Sequence, residues 1–367
     1  MSKLGKVLFI ILCVIVTIAI IVLLFVLLYK PLGGRPNKSD RENYESRSSN
    51  YKDGKFYNDG KFSVMGSFID PYKDRVGSSD VVPQGAVSVE NYEFIENDNS
   101  DVLFTWFGHS TVLIQMHGMN ILIDPIFSNR ASPVSFVGPK RFSDLSGDVS
   151  DLPYIDVVLL THDHYDHVDY NTIKELDEKT NMFLVPLGID KDLIKFGIDK
   201  NKVNNMSWWE ELELNGLSFV CTPARHFSGR FVIDSNDTLW SSWLIKDENY
   251  TIFDSGDSGY GDHFKEINAR YGNVDFALLD SGQYSESWHD VHMFPEEAVQ
   301  AAVDLNANIS MPIHWGAFAL SNHPWDDPAK RFVRQASELG INYMISRIGK
   351  TVSINDYLDN QETWWEE

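Results

Sequence analysis

Residues 161–167 read Thr161-His162-Asp163-His164-Tyr165-Asp166-His167, and Val157-Val158-Leu159-Leu160 leads straight into them. The apolar run reads as a short buried strand. The seven residues after it hold three histidines and two aspartates. Imidazole and carboxylate are the side chains that bind zinc-like ions, and His162, His164, Asp166 and His167 can converge from one tight loop. The competing reading is a polar surface loop, and clustering of this density by chance is rare.

Such a loop needs partners, and polar residues directly after apolar strands are held most rigidly. Three places qualify. Strand Leu217–Cys221 leads through Thr222-Pro223-Ala224-Arg225 to His226. Strand Thr251–Phe253 leads to Asp254-Ser255-Gly256-Asp257-Ser258-Gly259, where glycines flanking Asp257 let the backbone approach an ion. Segment Ile309–Ile313 leads to His314-Trp315-Gly316. A lone strand-end histidine is more often a hydrogen-bonded structural residue; three such places beside the histidine loop form a set.

Outward from the loop, strands are expected at Val102–Phe107, Met182–Val185, Ser241–Ile245, Phe276–Leu279 and Met344–Ile348. Thr111–Met116 and Asn120–Ile123 flank His117-Gly118 as a hairpin. Helical spacing marks Tyr170–Lys179 with Asp169 as its cap, His263–Tyr271, Pro295–Leu305 and Pro328–Leu339. Two sheets covered by helices is the layered architecture that fits.

The 367 residues are 43% hydrophobic and 13% aromatic, enough for a large packed domain. A net charge of -22 argues against nucleic-acid partners, whose phosphates it would repel. Two cysteines, Cys13 and Cys221, exclude a disulfide framework and a cysteine-rich zinc site. Val7 to Tyr29 is uncharged and apolar, long enough for the ~30 Å hydrocarbon core, and reads as an uncleaved single-pass anchor. Lys3 and Lys6 precede it, and Lys30, Arg35, Lys38 and Arg41 follow. The positive-inside rule weakly favours a cytoplasmic body, whereas a short N-terminal anchor commonly places its C-terminal domain outside. An extracytoplasmic domain is the reading adopted. The expected organisation is an anchor at 1–30, a polar stalk and N-terminal extension at 31–100, a catalytic domain at 101–355 and a C-terminal tail at 356–367. The sequence does not speak to oligomeric state.

The order HxHxDH, a downstream histidine, an aspartate in a Gly-Asp context and a final histidine resembles the metallo-β-lactamase superfamily. Phe107-Gly108-His109-Ser110-Thr111, the stretch from Ile123-Asp124-Pro125 to Ser132-Pro133, and Val137-Gly138-Pro139-Lys140-Arg141 are similar to one branch of it. So are Pro223 to Arg230, Gly256 to Tyr260 and His314 to Phe318. That branch contains the N-acyl-phosphatidylethanolamine-hydrolysing phospholipases D and bacterial relatives; lactonases are more distant.

The resemblance implies an α/β fold, a four-layer αββα sandwich behind the N-terminal transmembrane helix, and two divalent ions, most simply zinc. It implies that His162, His164 and His226 hold one ion, that Asp166, His167 and His314 hold the other, and that Asp257 bridges them. Asp166 and Asp257 are the expected catalytic carboxylates around a metal-activated water. Asp124 is expected behind a ligating histidine, and His292 toward the substrate headgroup. His109 reads as structural; His117, His263, His289 and His323 carry no expected role. Asp280-Ser281-Gly282-Gln283-Tyr284 departs from the branch with an acid and a glutamine where apolar residues are expected, and Ser285 to Asp290 reads as part of a pocket rim; both suit a more polar ligand. The implied activity is hydrolysis of a phosphodiester in a small-molecule or lipid substrate, with a lactonase on the same metal core, or a non-catalytic metal-binding protein, as alternatives.

Overall fold

In a computed structural model of the chain, residues 2–58, 80–97 and 101–366 are described; residues 59–79 and 98–100 of the expected extension lie outside them. Helix α1 (Lys3–Leu28) buries none of its side chains. Among the described residues it is the one helix long and apolar enough to cross a membrane. The chain enters the sandwich directly after it, with Pro31 and Leu32 buried. Helix α2 (Lys38–Arg47) opens with a reciprocal cap between Asn37 and Asp40. Strands β1 (Tyr51–Lys52) and β2 (Lys55–Phe56) follow as a small hairpin. Tyr44, Tyr51 and Phe56 pack on Leu187, Leu239 and Trp240. Residues 31–58 therefore lie on the sandwich, and isolated aromatics without periodicity carry the contact.

The first sheet contains β3 (Leu103–Trp106), β4 (Val112–Met116), β5 (Met119–Ile123), β6 (Ile155–Leu159), β7 (Thr180–Pro186) and β8 (Val203–Met206). The second contains β9 (Glu211–Leu214), β10 (Leu217–Thr222), β11 (Ser242–Lys246), β12 (Thr251–Asp254), β13 (Val274–Asp280) and β14 (Ala307–Ile313). A last strand, β15 (Thr351–Ser353), returns to the first sheet, giving the orders β15-β3-β4-β5-β6-β7-β8 and β14-β13-β12-β11-β10-β9. His117 and Gly118, both at positive φ, make the expected two-residue turn between β4 and β5. Pairing turns parallel from β5 to β8 and from β12 to β14, where helices intervene.

Helices α3 (Tyr170–Leu176) and α4 (Ile189–Phe196) cover the first sheet, burying Ile173, Leu193 and Phe196 against Val158 and Phe183. Helices α5 (His263–Tyr271), α6 (Pro295–Asp304) and α7 (Asp327–Leu339) cover the second, placing Phe264, Val299 and Phe332 against Phe253 and Leu279. The inner faces meet through Phe104, Trp106, Ile114 and Val157 on one side and Phe219, Trp243 and Phe276 on the other. This is an αββα sandwich. Strand β6 shows why: Val157 and Leu159 face the second sheet, while Val158 and Leu160 face the helices, so the run is apolar on both sides.

Two expectations need correction. Met344–Ile348 is not a strand; its neighbourhood holds only isolated bridges, Ser310 to Tyr343 and Val89 to Ile348, and the edge strand is β15. Met344, Ile345 and Ile348 are apolar because they fill the core. The segment 356–367 is not a free tail, since Trp364 and Trp365 are buried and Trp364 stacks on Trp315 with centroids 5.4 Å apart.

Candidate metal centre

The histidine loop leaves β6 at the end where β10, β12 and β14 also finish, so both sheets contribute to one buried cluster. His162, His167, His226, Asp257 and His314 are all 3% exposed or less. Three groups of side chains, each able to direct its ligand atoms within 4.8 Å of one another, meet here: His162, His164, His226 and Asp257; His109, Asp166, His167 and His314; and Asp257, Asp280, His292 and His314. Asp257 joins them. Its Oδ2 lies 3.2 Å from His167 Nε2, 3.6 Å from His162 Nε2 and 3.8 Å from His226 Nε2. Its Oδ1 lies 3.2 Å from His314 Nδ1. All seven residues singled out in the sequence converge.

Local backbone explains the convergence. Asp257 approaches the loop because Gly256 has none of the bulk that would clash: a Cβ there would come within 2.8 Å of Ser241 O and of Thr161 Cβ. His109, Asp124 and His314 are non-glycine residues at positive φ, of 54°, 42° and 67°, and all three border the cluster. Strain of this kind persists where the surroundings over-determine it. Asp124 shows how: its Oδ1 accepts from Thr161 N at 2.8 Å, and its Oδ2 accepts from Thr161 Oγ1 at 2.6 Å and from His167 Nδ1 at 2.7 Å. His167 Nε2 is thereby turned to Asp257.

Burial holds the imidazoles of His162, His226 and His314 well below their ordinary pKa, and pushes His164 down to about 3. These rings are neutral and offer lone pairs. Burial acts the same way on His167, but Asp257, Asp166 and Asp124 outweigh it and raise that ring well above the ordinary range. Burial drives Asp257 up to about 6, against the pull of His167. For Asp166 burial raises the carboxyl, yet His167 and the His109 hydrogen bond prevail and hold it well below the carboxylate range. Three carboxylates around neutral imidazoles favour a positive charge at this point.

The sequence reading missed two members. His109, read as structural, donates from Nε2 to Asp166 Oδ2 at 2.8 Å and fixes that carboxylate. Asp280 is fully buried at the end of β13 and accepts from His292 Nδ1 at 2.8 Å. The ring of His292 stacks on that of His314 with centroids 5.3 Å apart and planes 9° apart. Both misses follow an apolar strand, the signal that located His226. Gln283, which departs from the branch, is buried, donates to His314 O and Phe318 O, and accepts from Leu320 N and Ser321 N. Its polarity builds the loop that carries His314.

Fold and site together define a metal-dependent hydrolase on an αββα sandwich. The model of the beta-lactamase superfamily domain matches residues 119–315, and the chain belongs to the metallo-β-lactamase superfamily. It is 34% identical over 330 residues to an uncharacterized protein of Mycobacterium tuberculosis, covering 87% of this chain and 88% of that one. It is 36% identical over 239 residues to N-acyl-phosphatidylethanolamine-hydrolyzing phospholipase D 1 of Caenorhabditis elegans, covering 61% of this chain and 66% of the relative. Among solved structures it is similar in fold to the metallo hydrolase Igni18 of Ignicoccus hospitalis, with a TM-score of 0.55 and 22% identity, over 69% of this chain and 98% of that one.

Proposed function

We propose that this chain is a membrane-anchored phosphodiesterase with two zinc ions, acting on a phospholipid of the N-acyl-phosphatidylethanolamine type. The observation that carries the reading is the Asp257 carboxylate, whose oxygens face imidazoles from both sheets. The donor set fits divalent ions: His167 Nε2 and Asp257 Oδ1 are buried without a hydrogen-bond partner, the rings of His162, His164, His226 and His314 are neutral, and an ion would take the place of the proton that the surrounding carboxylates hold on His167. His162, His164 and His226 would hold one ion and Asp166, His167 and His314 the other, with Asp257 shared. When bound, such ions supply Lewis acidity, polarising phosphoryl oxygens and bringing the pKa of water toward ~7.

The chain's own groups do the positioning. His109 holds Asp166 as an anion, placed to orient a water by accepting its hydrogen bond. Asp280 fixes the Nδ1 of His292, which leaves Nε2 for a substrate oxygen. Asp124 sets His167. The phospholipid reading is supported by the relatives named as phospholipases D in the nematode and in Saccharomyces cerevisiae. The anchor supports it too, because tethering raises the effective concentration of lipid. For an extracytoplasmic domain at about 101–355, Arg35 and Arg41 are relevant: they pair with Asp234 and Asp237 on the sandwich, which reduces their weight as topogenic charges.

The test sets turnover of bis-p-nitrophenyl phosphate beside turnover of a simple lactone, with metal counted per chain. Diester turnover that a chelator abolishes and zinc restores, with two ions per chain, is expected. Lactone turnover alone, or well below one ion per chain, overturns the proposal.

A further inference from the structure

The point where α1 ends is clamped by two loops of the catalytic body. Tyr29 Oη donates to Pro133 O at 2.6 Å, in the loop between β5 and β6. Arg230, in the loop between β10 and β11, donates from Nε and Nη2 to Pro31 O at 3.1 and 2.9 Å. The same two loops carry the two most exposed large apolar side chains among the described residues outside α1: Phe136 at 80% and Val232 at 85%. Val137 and Ile233 extend each tip.

Both tips are built rather than loose. Arg130 donates from Nε to Ser135 O and from Nη1 to Gly138 O, closing the turn that presents Phe136 and Val137. Asp234 Oδ1 accepts from Arg230 N and Phe231 N, closing the turn that presents Val232 and Ile233. A solvated surface gains nothing from apolar tips held outward in this way.

Between the helix end and the first loop lies a cavity of about 630 Å³, lined by Lys30, Ser128, Arg130, Asp169, Asn171 and Arg230 among others; the Asp169 carboxylate is taken up by Ser128 N, Asn171 N and Thr172 Oγ1. Among the described residues no acid pairs with Lys30 or with Arg130. Arg130 gives Nε and Nη1 to Ser135 O and Gly138 O, and Lys30 Nζ lies beside Gly197 at the end of α4, so both bring positive charge to this face of a chain of net charge -22. Lys30 directly follows the apolar helix, at the level where lipid phosphates lie.

We propose that this face is a phospholipid-binding surface: the cavity takes an anionic headgroup phosphate, and the tips Phe136-Val137 and Val232-Ile233 enter the acyl layer. The inference rests on reading α1 as a membrane span and is independent of which bond the metal centre breaks. Arg230 Nη1 also donates to Asp163 O at 2.6 Å and Val168 O at 3.0 Å, so the docked face and the histidine loop move as one piece. The catalytic body then sits on the bilayer in one orientation.

The test uses the full chain in phosphatidylcholine nanodiscs with and without phosphatidylglycerol. Phe136→Cys, Val232→Cys and a control, Leu358→Cys, are made in a Cys13→Ser background and labelled with an environment-sensitive fluorophore. Leu358 is 68% exposed and follows β15, at the sheet edge opposite β8. Acyl-chain nitroxide lipids are expected to quench the labels at 136 and 232 at least about twofold more than the label at 358. Equal quenching at all three positions overturns the docked face. The native Cys13 label serves as the span control; if it escapes quenching, the anchor reading fails first.

For the headgroup, the thermal midpoint in neutral detergent is expected to rise with phosphatidylglycerol and not with inorganic phosphate, and Lys30→Gln with Arg130→Gln is expected to abolish the rise while a label at 232, in a turn that Arg130 does not hold, keeps its quenching. An equal rise with inorganic phosphate, or one that survives the double substitution, overturns the headgroup site. Diester turnover measured on the same samples separates the two proposals. Quenching without turnover counts against the phosphodiester reading alone, and turnover without quenching counts against docking alone.

Discussion

The two walls of the metal centre are built on different plans. The wall from the first sheet is a single loop: His162, His164, Asp166 and His167 follow one strand and share supports, with Asp124 gripping Thr161 and His167 and Asp163 held by Gly229 N and Thr238 Oγ1. The wall from the second sheet has three members from three strand ends, of which only the Asp257 loop leans on a residue of the first wall. His226 Nδ1 meets Val291 O at 3.1 Å, the Asp257 loop is set by Gly256 against Thr161, and His314 lies within 3.0 Å of Ser110 Oγ. A shared wall concentrates the cost of damage to its supports; a divided wall localises it.

Asp257 is the exception that connects the walls, and it carries the largest expected effect. Asp257→Ala removes the one carboxylate facing both groups of ligands. Diester turnover should fall by about three powers of ten, matching the several kcal/mol a metal contributes to charge stabilisation at tenfold per ~1.4 kcal/mol. Both ions should bind more weakly. His226→Ala and His314→Ala should each weaken one ion and spare the other, as counted by metal analysis per chain. If His226→Ala loses both ions while Asp257→Ala loses one, the assignment of Asp257 as the shared group is wrong.

The same contrast explains what was legible in the sequence. The first wall is local, so seven consecutive residues expose it. The second wall is legible only through strand ends: His226, Asp257 and His314 each follow an apolar run, and so do His109 and Asp280, after β3 and at the end of β13, whose part appears only when the strands are brought together. Layer order was readable because apolar runs such as Val157–Leu160 bury both faces. Residues 31–58 and the Trp364-Trp365 pair were not, since single aromatics in polar surroundings become core only through tertiary contacts that leave no period in the chain.

Asp124→Asn probes the shared supports. The substitution keeps the shape but weakens acceptance from His167 Nδ1 and from Thr161 N and Oγ1. Loss of such an outer partner costs about 10–100-fold in metal affinity or activity. Because one carboxylate steadies two residues of the loop, the loss should appear at both ions. A metal titration showing one ion untouched would mean that the loop is held residue by residue, like the opposite wall.

Gln283→Leu probes a support of the divided wall, and its effect on activity should be the smallest. The side chain serves four backbone groups, His314 O, Phe318 O, Leu320 N and Ser321 N, and none of them holds any ligand outside the His314 segment. Leucine is close in volume but bonds to none of them, and each buried group left unpaired costs about 1–3 kcal/mol. The cost should therefore fall on stability, lowering the denaturation midpoint. Diester turnover at saturating metal should change by only a few fold, because His314 keeps Ser110 Oγ and its backbone bond to His109 O. Any weakening of metal binding should be confined to the ion that His314 would hold under the proposed two-ion reading. Equal loss of both ions in this variant would show that the second wall, too, moves as a unit, and the distinction between the walls would collapse.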